Sequence, residues 1–129
     1  MTKILNLPVP PSINSYWKPH RGGGIYKTQE AKRYSQGIAN RLYAEGMRPL
    51  VGDVRVDIDW FRVPARKGPR DIDNILKCLL DALEGIAYRN DSQVTQIRAT
   101  KHPPRGPTSF IELTISPSKR PTTEALPTP

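Results

Sequence analysis

The chain has 129 residues, with 20 Lys plus Arg against 12 Asp plus Glu, a formal net charge of +8 and a sequence pI near 9.9. That length is one domain's worth, the single cysteine, Cys78, excludes an intramolecular disulfide or a CxxC metal site, and no apolar run approaches the ~20 residues of a membrane span. The basic excess points to a polyanionic partner, nucleic acid ahead of a membrane surface because no basic amphipathic helix stands out.

Cysteine usage favours a reducing, cytoplasmic setting. The start, MTKILNLPVPP, is too short and too proline-broken for a signal peptide. Lys3 to Val9 reads as a first strand, stopped by Pro8, Pro10 and Pro11. PSINSYWKPHRGGGIYKT reads as a polar loop with a short extended piece at Ile25–Lys27. Thr28 is an N-cap for a helix running to about Glu45, with Ala31, Tyr34, Ile38 and Leu42 on one face and Gly46 as its C-cap. Val51 to Val63 alternates, with Val54, Val56, Ile58 and Trp60 on one face and Arg55, Asp57 and Asp59 on the other, the pattern of a half-buried strand.

PARKGPR follows as a basic loop. Ile72 to Ile86 is the best helix in the chain: Ile72, Ile75, Leu76, Leu79, Leu83 and Ile86 form a continuous apolar stripe. Cys78 borders that stripe as small packing filler. Val94 to Lys101 and Phe110 to Ser116 read as strands, expected to be antiparallel partners across the HPPRGPTS loop. From Pro117 the chain is proline-rich with little to bury, which predicts a disordered tail over 117–129.

The chemistry concentrates in RDIDNILKCLLDALEGIAYRNDSQV, residues 70–94, which holds five of the twelve acidic residues of a basic protein. With ~100° of rotation per helical residue, Asp73, Lys77, Asp81 and Glu84 share a narrow sector opposite the apolar stripe. Asp71 stands at the helix start and Asp91 in the turn before the Val94 strand. A helix packed on a sheet brings that turn and that helix start together only if the strand runs back antiparallel. Asp71, Asp73 and Asp91 together would make a hard oxygen site suited to Mg²⁺ or Mn²⁺. Such a metal inverts the local sign, so that Arg66, Lys67, Arg70 and Arg89 can grip phosphates around it, and Lys77 can orient a water or stabilise the transition state. The residues alone equally allow Asp71 or Asp73 as a helix cap, Asp73–Lys77 as an ordinary i,i+4 pair and Asp91 as turn composition.

LNLPVPPSINSYW, followed by the 70–94 block with its D-x-D-N-x-x-K-x-x-x-D-A-L pattern and closing D-S-Q-V, resembles the RusA family of Holliday-junction resolvases from about Ile4 to about Ile115. The resemblance implies an α+β fold, one small domain over 1–116 with a mixed β-sheet packed with two main helices, and a homodimer. It implies a Mg²⁺-dependent endodeoxyribonuclease that cuts four-way DNA junctions by paired symmetric nicks, in a bacterial or phage-infected cell. Its catalytic, metal-binding aspartates fall on Asp71, Asp73 and Asp91 and its catalytic lysine on Lys77. Asn90 departs from the pattern, where the family often has a first Asp.

Asn14, Lys18 and Asn74 join Arg66, Lys67, Arg70 and Arg89 as candidate nucleic-acid contacts. Arg21, Lys27, Lys32 and Arg33 are candidate extensions of that surface. Trp17 is either a stacking platform for an exposed base or core. Asp81 and Glu84 read as a solvated face, with Asp81 alternatively supporting the metal ligands. His20 and His102, in loops beside prolines, are assigned no catalytic role. Two rival functions remain at this point: a nuclease of broader branched-DNA taste, and a non-catalytic branched-DNA-binding protein whose carboxylates are caps and salt bridges.

Overall fold

The structure, a computed structural model, describes residues 2–64 and 71–118. In chain order its elements are β1 (Thr2–Leu7), α1 (Ile13–Tyr16), β2 (Trp17–Pro19), β3 (Ile25–Lys27), α2 (Gln29–Ala44), β4 (Val54–Phe61), α3 (Ile72–Leu83), a 3₁₀ turn (Asp91–Gln93), β5 (Val94–His102) and β6 (Phe110–Pro117). A four-stranded mixed sheet runs in the order β1-β6-β4-β5, and β2 and β3 pair as a separate two-stranded ribbon. This is the expected α+β domain with two main helices.

The sheet differs from expectation at its most consequential point. β5 and β6 are not partners: both flank β4, with β5 parallel to it and β6 antiparallel. Short connections usually join antiparallel neighbours, but here α3 is the crossover between β4 and β5, and a crossover helix places its two strands parallel. β6 takes the other side of β4 and also receives β1, which pairs antiparallel with Thr2 opposite Ile115. The first strand ends at Leu7, short of Val9, because Pro8 offers no N–H to the ladder. Its register shifts between Ile4 and Leu7, where Asn6 adopts φ 59°, a left-handed conformation that Asn tolerates better than most residues.

The core follows the sequence periodicities. Val54, Val56, Ile58 and Trp60 of β4 are buried with Ile111, Leu113 and Ile115 of β6, and Ile75, Leu79 and Leu83 of α3 close over them with Ile38 and Leu42 of α2. Thr28 caps α2 by accepting the Ala31 N–H, and the helix stops at Gly46, φ 80°, where the left-handed turn favours glycine. α3 stops at Leu83, a turn earlier than its stripe predicts; Glu84 is already extended and Gly85 turns at φ 92°. Ile86 still packs against the core from the turn. Cys78 is fully buried against Tyr16 and Ala31.

On the opposite face of β4 and β5, Arg98 bridges Asp57 (3.1 Å) and Asp59 (2.8 Å), and His102 reaches Asp59 at 2.7 Å. His102 therefore serves this ladder and the stacked Phe61–Phe110 end of the sheet rather than the acidic stretch. Two residues of the expected 117–129 tail are ordered: Pro117 completes β6, and Ser118 donates its N–H to the Asp53 carbonyl at 2.8 Å and its hydroxyl to Gln96 at 2.6 Å. Residues 119–129 lie outside the described residues.

Candidate active site

α3 supplies the axis of the site. Its amphipathic pattern commits one side to the sheet, so the polar sector carrying Asp73, Lys77 and Asp81 faces outward. Asp71 is the N-cap residue, with φ −76° and ψ 154°, yet its carboxylate makes no capping hydrogen bond and is exposed. Asp73, two residues into the helix, is exposed too, and it forms no ion pair with Lys77. Neither the cap nor the i,i+4 pair that the sequence allowed has formed among the described residues. Both carboxylates and the Lys77 ammonium are left to other chemistry.

A groove of about 270 Å³ brings residues from four regions together: Lys77, Leu80 and Asp81 from α3, Asp91 from the following turn, Val94 and Ile97 from β5, and Trp17 from β2. Lys77 and Asp91, fourteen positions apart in sequence, thus share one concavity with an apolar wall. Asp73 and Asp71 lie up the helix from Lys77 by ~6 and ~9 Å of axial rise. Among the described residues no three of His, Cys, Asp or Glu are gathered as a ligand group. The parallel course of β5 explains this spread. The turn bearing Asp91 follows the C-terminal end of α3, whereas Asp71 and Asp73 sit at its N-terminal end. The three are still exposed carboxylates, the donor type a hard divalent cation takes, and none is paired with a cation of the chain among the described residues, but the structure does not gather them around one point.

The backbone of the turn carrying Asp91 is held on both sides of that residue. Asn90 accepts the Ser92 N–H at 2.9 Å, and Gln93 Oε1 accepts the N–H of Asn90 at 3.0 Å and of Arg89 at 2.9 Å, a reciprocal capping box. Gln93 Nε2 then donates to the carbonyls of Leu50 (2.8 Å) and Gly52 (2.9 Å). One side chain therefore ties the Asp91 turn to the segment entering β4. The Leu50 N–H adds a bond to the Ala87 carbonyl at 2.9 Å. Asn90 is a good N-cap in its own right, so its departure from the family pattern leaves the geometry of the Asp91 turn in place.

Asp81 is not a solvated residue. Its Oδ2 accepts from Tyr16 Oη at 2.7 Å and pairs with Lys27 Nζ at 2.7 Å. Burial raises the Tyr16 phenol well above its ordinary range, so the proton stays on it and is donated to Asp81. With that proton committed, the Ser35 hydroxyl donates to Tyr16 Oη across 2.9 Å. Lys27 also sits 5.7 and 5.9 Å from the Tyr16 and Trp17 ring centres. Asp81 thus joins the ribbon, α2 and α3 directly behind Lys77. Glu84 is exposed, as expected. Gln93, Tyr16 and Lys27 are not legible as supports from local pattern, because the partners through which they brace the site, Leu50, Gly52 and Asp81, are remote in the chain.

The remaining candidates divide by location. Arg89 is exposed next to the Asp91 turn, Lys18 is exposed on β2, and Asn74 is half-buried in the first turn of α3. Asn14 belongs to α1, with its side chain outside the described residues, as are Arg66, Lys67 and Arg70 altogether. Lys27 and Lys32 line a second groove of about 430 Å³ on the other side of Asp81, and Arg33 is exposed nearby on α2. His20 is at the ribbon tip, its Nδ1 accepting the Gly22 N–H at 3.2 Å.

Comparison with known proteins bears on this arrangement. The family model described as "Endodeoxyribonuclease RusA" matches residues 8–114, a span that contains Asp71, Asp73, Lys77 and Asp91. The chain is 32% identical over 119 residues to the "Crossover junction endodeoxyribonuclease RusA" of Escherichia coli K12, covering 89% of this chain and 94% of that protein. It is 30% identical over 101 residues to the protein of the same name from Enterobacteria phage HK97, covering 75% and 82%. A third relative of that name, from Enterobacteria phage 82, is 32% identical over 119 residues, covering 89% and 94%.

Proposed function

This chain belongs to the RusA endodeoxyribonuclease family, and from that premise we propose that it resolves four-way DNA junctions by paired, symmetric, Mg²⁺-dependent nicks in recombination and repair. The observation that carries the proposal is the groove in which Lys77 meets Asp91 on the same helix that presents the unengaged carboxylates of Asp71 and Asp73. The names of the relatives, crossover junction endodeoxyribonucleases, support the substrate.

In this reading Asp71, Asp73 and Asp91 would hold Mg²⁺, with Mn²⁺ substituting. When bound there, such an ion would supply an acidified water and offset charge on the leaving oxygen. The Lys77 ammonium, free of a partner on its own helix, stands beside the phosphorus and balances the extra negative charge of the transition state. Water attacks in line, the bond from phosphorus to the 3′ oxygen breaks, and the products carry a 5′-phosphate and a 3′-hydroxyl that a ligase can rejoin. Gln93 fixes the backbone of the Asp91 turn and the Tyr16–Asp81–Lys27 cluster fixes the groove wall, so the frame that carries Asp91 and Lys77 is set before substrate arrives. Exposed Arg89 and Lys18 supply phosphate contacts beside the groove, and Arg66, Lys67 and Arg70 are further candidates by their charge alone. Two matched cuts in a two-fold substrate call for a homodimer with two such sites.

The test is cleavage of a synthetic four-way junction by purified protein, with and without Mg²⁺, beside Asp73→Asn. Ligatable paired nicks that require the ion and vanish in the variant are expected. Full cleavage by Asp73→Asn would place the chemistry elsewhere, and tight binding with no cutting in Mg²⁺ or Mn²⁺ would make the protein a junction binder instead.

A further inference from the structure

The base of the β2–β3 ribbon belongs to the site described so far, through Trp17 and Lys27, but its tip has no role there and is built for contact. It spans three residues on each side, paired Trp17–Lys27, Lys18–Tyr26 and Pro19–Ile25, and so rises ~10 Å from its base. The base is fixed: Thr28 donates its N–H to the Tyr16 carbonyl at 3.1 Å and its hydroxyl to the Ser15 carbonyl at 2.6 Å, and Lys27 is clamped to Asp81. Trp17, at that base, lines the Lys77–Asp91 groove. The tip is open. Ile25 is 65% exposed and Tyr26 47%, two of the few large apolar side chains the protein leaves in water. They lie among Lys18, His20, Arg21 and Lys27, and residues 17–28 contain no acid. The loop from His20 to Gly24 turns through φ 99° at Gly23 and 76° at Gly24, so the tip is narrow and carries little side-chain bulk.

We propose that this ribbon is a wedge that enters branched DNA where its strands part. The inference rests on the junction reading of the groove. Alternation along the ribbon places Pro19 and Ile25 on the face of Trp17 and Lys27, and Lys18 and Tyr26 on the other. A two-stranded ribbon is thin enough to enter a DNA groove, and apolar side chains at its end wedge between base steps that are already unstacked. Basic residues alone would serve any duplex. Exposed Ile25 and Tyr26 find a partner only where base faces are uncovered, as at a branch point. The fixed base then sets the distance from the branch to the Lys77–Asp91 groove, and so the position of the cut.

The experiment measures affinity for a four-way junction and for a linear duplex of the same sequence, in Ca²⁺ to hold cleavage, for wild type, Ile25→Ser, Tyr26→Ser and the pair Lys18→Ala/Arg21→Ala. The first two substitutions touch no core residue, and circular dichroism checks the fold. Each is expected to weaken junction binding about tenfold while duplex binding stays within twofold. The basic pair is expected to weaken both and to reduce the salt slope by about two. A 2-aminopurine placed at the branch should brighten with wild type and not with Ile25→Ser. Equal losses on junction and duplex, or no loss on either, would overturn the wedge. So would a shift from dimer to monomer in sedimentation velocity for Ile25→Ser, which would make a second copy the occupant. Selective junction binding that requires Ile25 in a wild-type protein that cuts nothing would sink the nuclease reading and leave the wedge supported.

Discussion

Gln93 is the residue through which the placement of Asp91 can be weighed. Its amide uses both donors and both oxygen acceptor sites, at 2.8–3.0 Å, on Leu50, Gly52, Arg89 and Asn90. Gln93→Ala removes all four bonds. Three of them are exposed, so water replaces much of what is lost, and a net ~0.5 kcal/mol each is appropriate; the part-buried bond to Leu50 counts for ~1 kcal/mol. The sum is about 2 to 3 kcal/mol of stability, or a fall in Tm of roughly 10 °C for a domain of this size. Activity should fall further than stability. Without the tie the Asp91 turn is no longer set against β4, and displacement of a catalytic group by about 1 Å costs on the order of 10²-fold. The assay is urea unfolding followed by tryptophan fluorescence, then single-turnover junction cleavage at a temperature where the variant is fully folded. Gln93→Glu retains acceptors for Arg89 and Asn90 but turns a carboxylate toward two carbonyls, and is expected to lose both stability and rate. Stability within ~0.5 kcal/mol of wild type together with cleavage within twofold would refute the assignment.

Other outcomes are specific enough to fail. Lys77→Met should lower single-turnover cleavage by at least about 10²-fold with junction affinity within about threefold, because its charge is spent on the transition state rather than on binding; a matching loss of affinity would make it a phosphate contact. Tyr16→Phe strips the donor from Asp81 and leaves Ser35 without its acceptor, for a loss of about 1–2 kcal/mol in urea unfolding. Arg98, hydrogen-bonded to Asp59, holds that carboxyl at about 2 against an ordinary 3.8. A depressed folded-state pKa contributes stability that is present above the ordinary value and is lost as pH falls from about 4 to about 2. With Asp59 partly exposed this amounts to roughly 1 kcal/mol, and unfolding of Asp59→Asn should show a correspondingly shallower acid limb.

Periodicity carried the elements well. The alternation of Val54, Val56, Ile58 and Trp60 and the stripe of Ile75, Leu79 and Leu83 are the buried faces seen in the fold, and the spacing of Asp71, Asp73 and Lys77 placed them on one helix end. What local pattern does not encode is which strand finds which. Val94–His102 and Phe110–Pro117 look like a hairpin because a short turn-rich loop separates them, but the crossover helix before β5 decides their positions around β4. Of the ribbon, the sequence shows only the extended piece at Ile25–Lys27; its pairing with Trp17–Pro19 is hidden because the strands are three residues long and WKPHRGGGIYK shows no alternation. The supports of the site, Gln93 on Leu50 and Gly52, and Tyr16 on Asp81, join residues more than forty positions apart. No window of sequence long enough to show a helix or a strand contains both partners.

The position of β6 has a consequence for how the molecule comes into being. The last strand of the domain lies between its first strand and the central one. A nascent chain that has emerged only as far as β5 can close β4, α3 and β5 into a local unit, but β1 has nothing to pair with and the second edge of β4 stays open to other chains. Bringing Thr2 to Ile115 carries a loop-closure entropy of ~4 kcal/mol that is met only when residues 110–117 arrive. Completion of the sheet therefore waits on the synthesis of residues 110–117, and a ribosome-bound fragment lacking β6 should remain without a complete sheet.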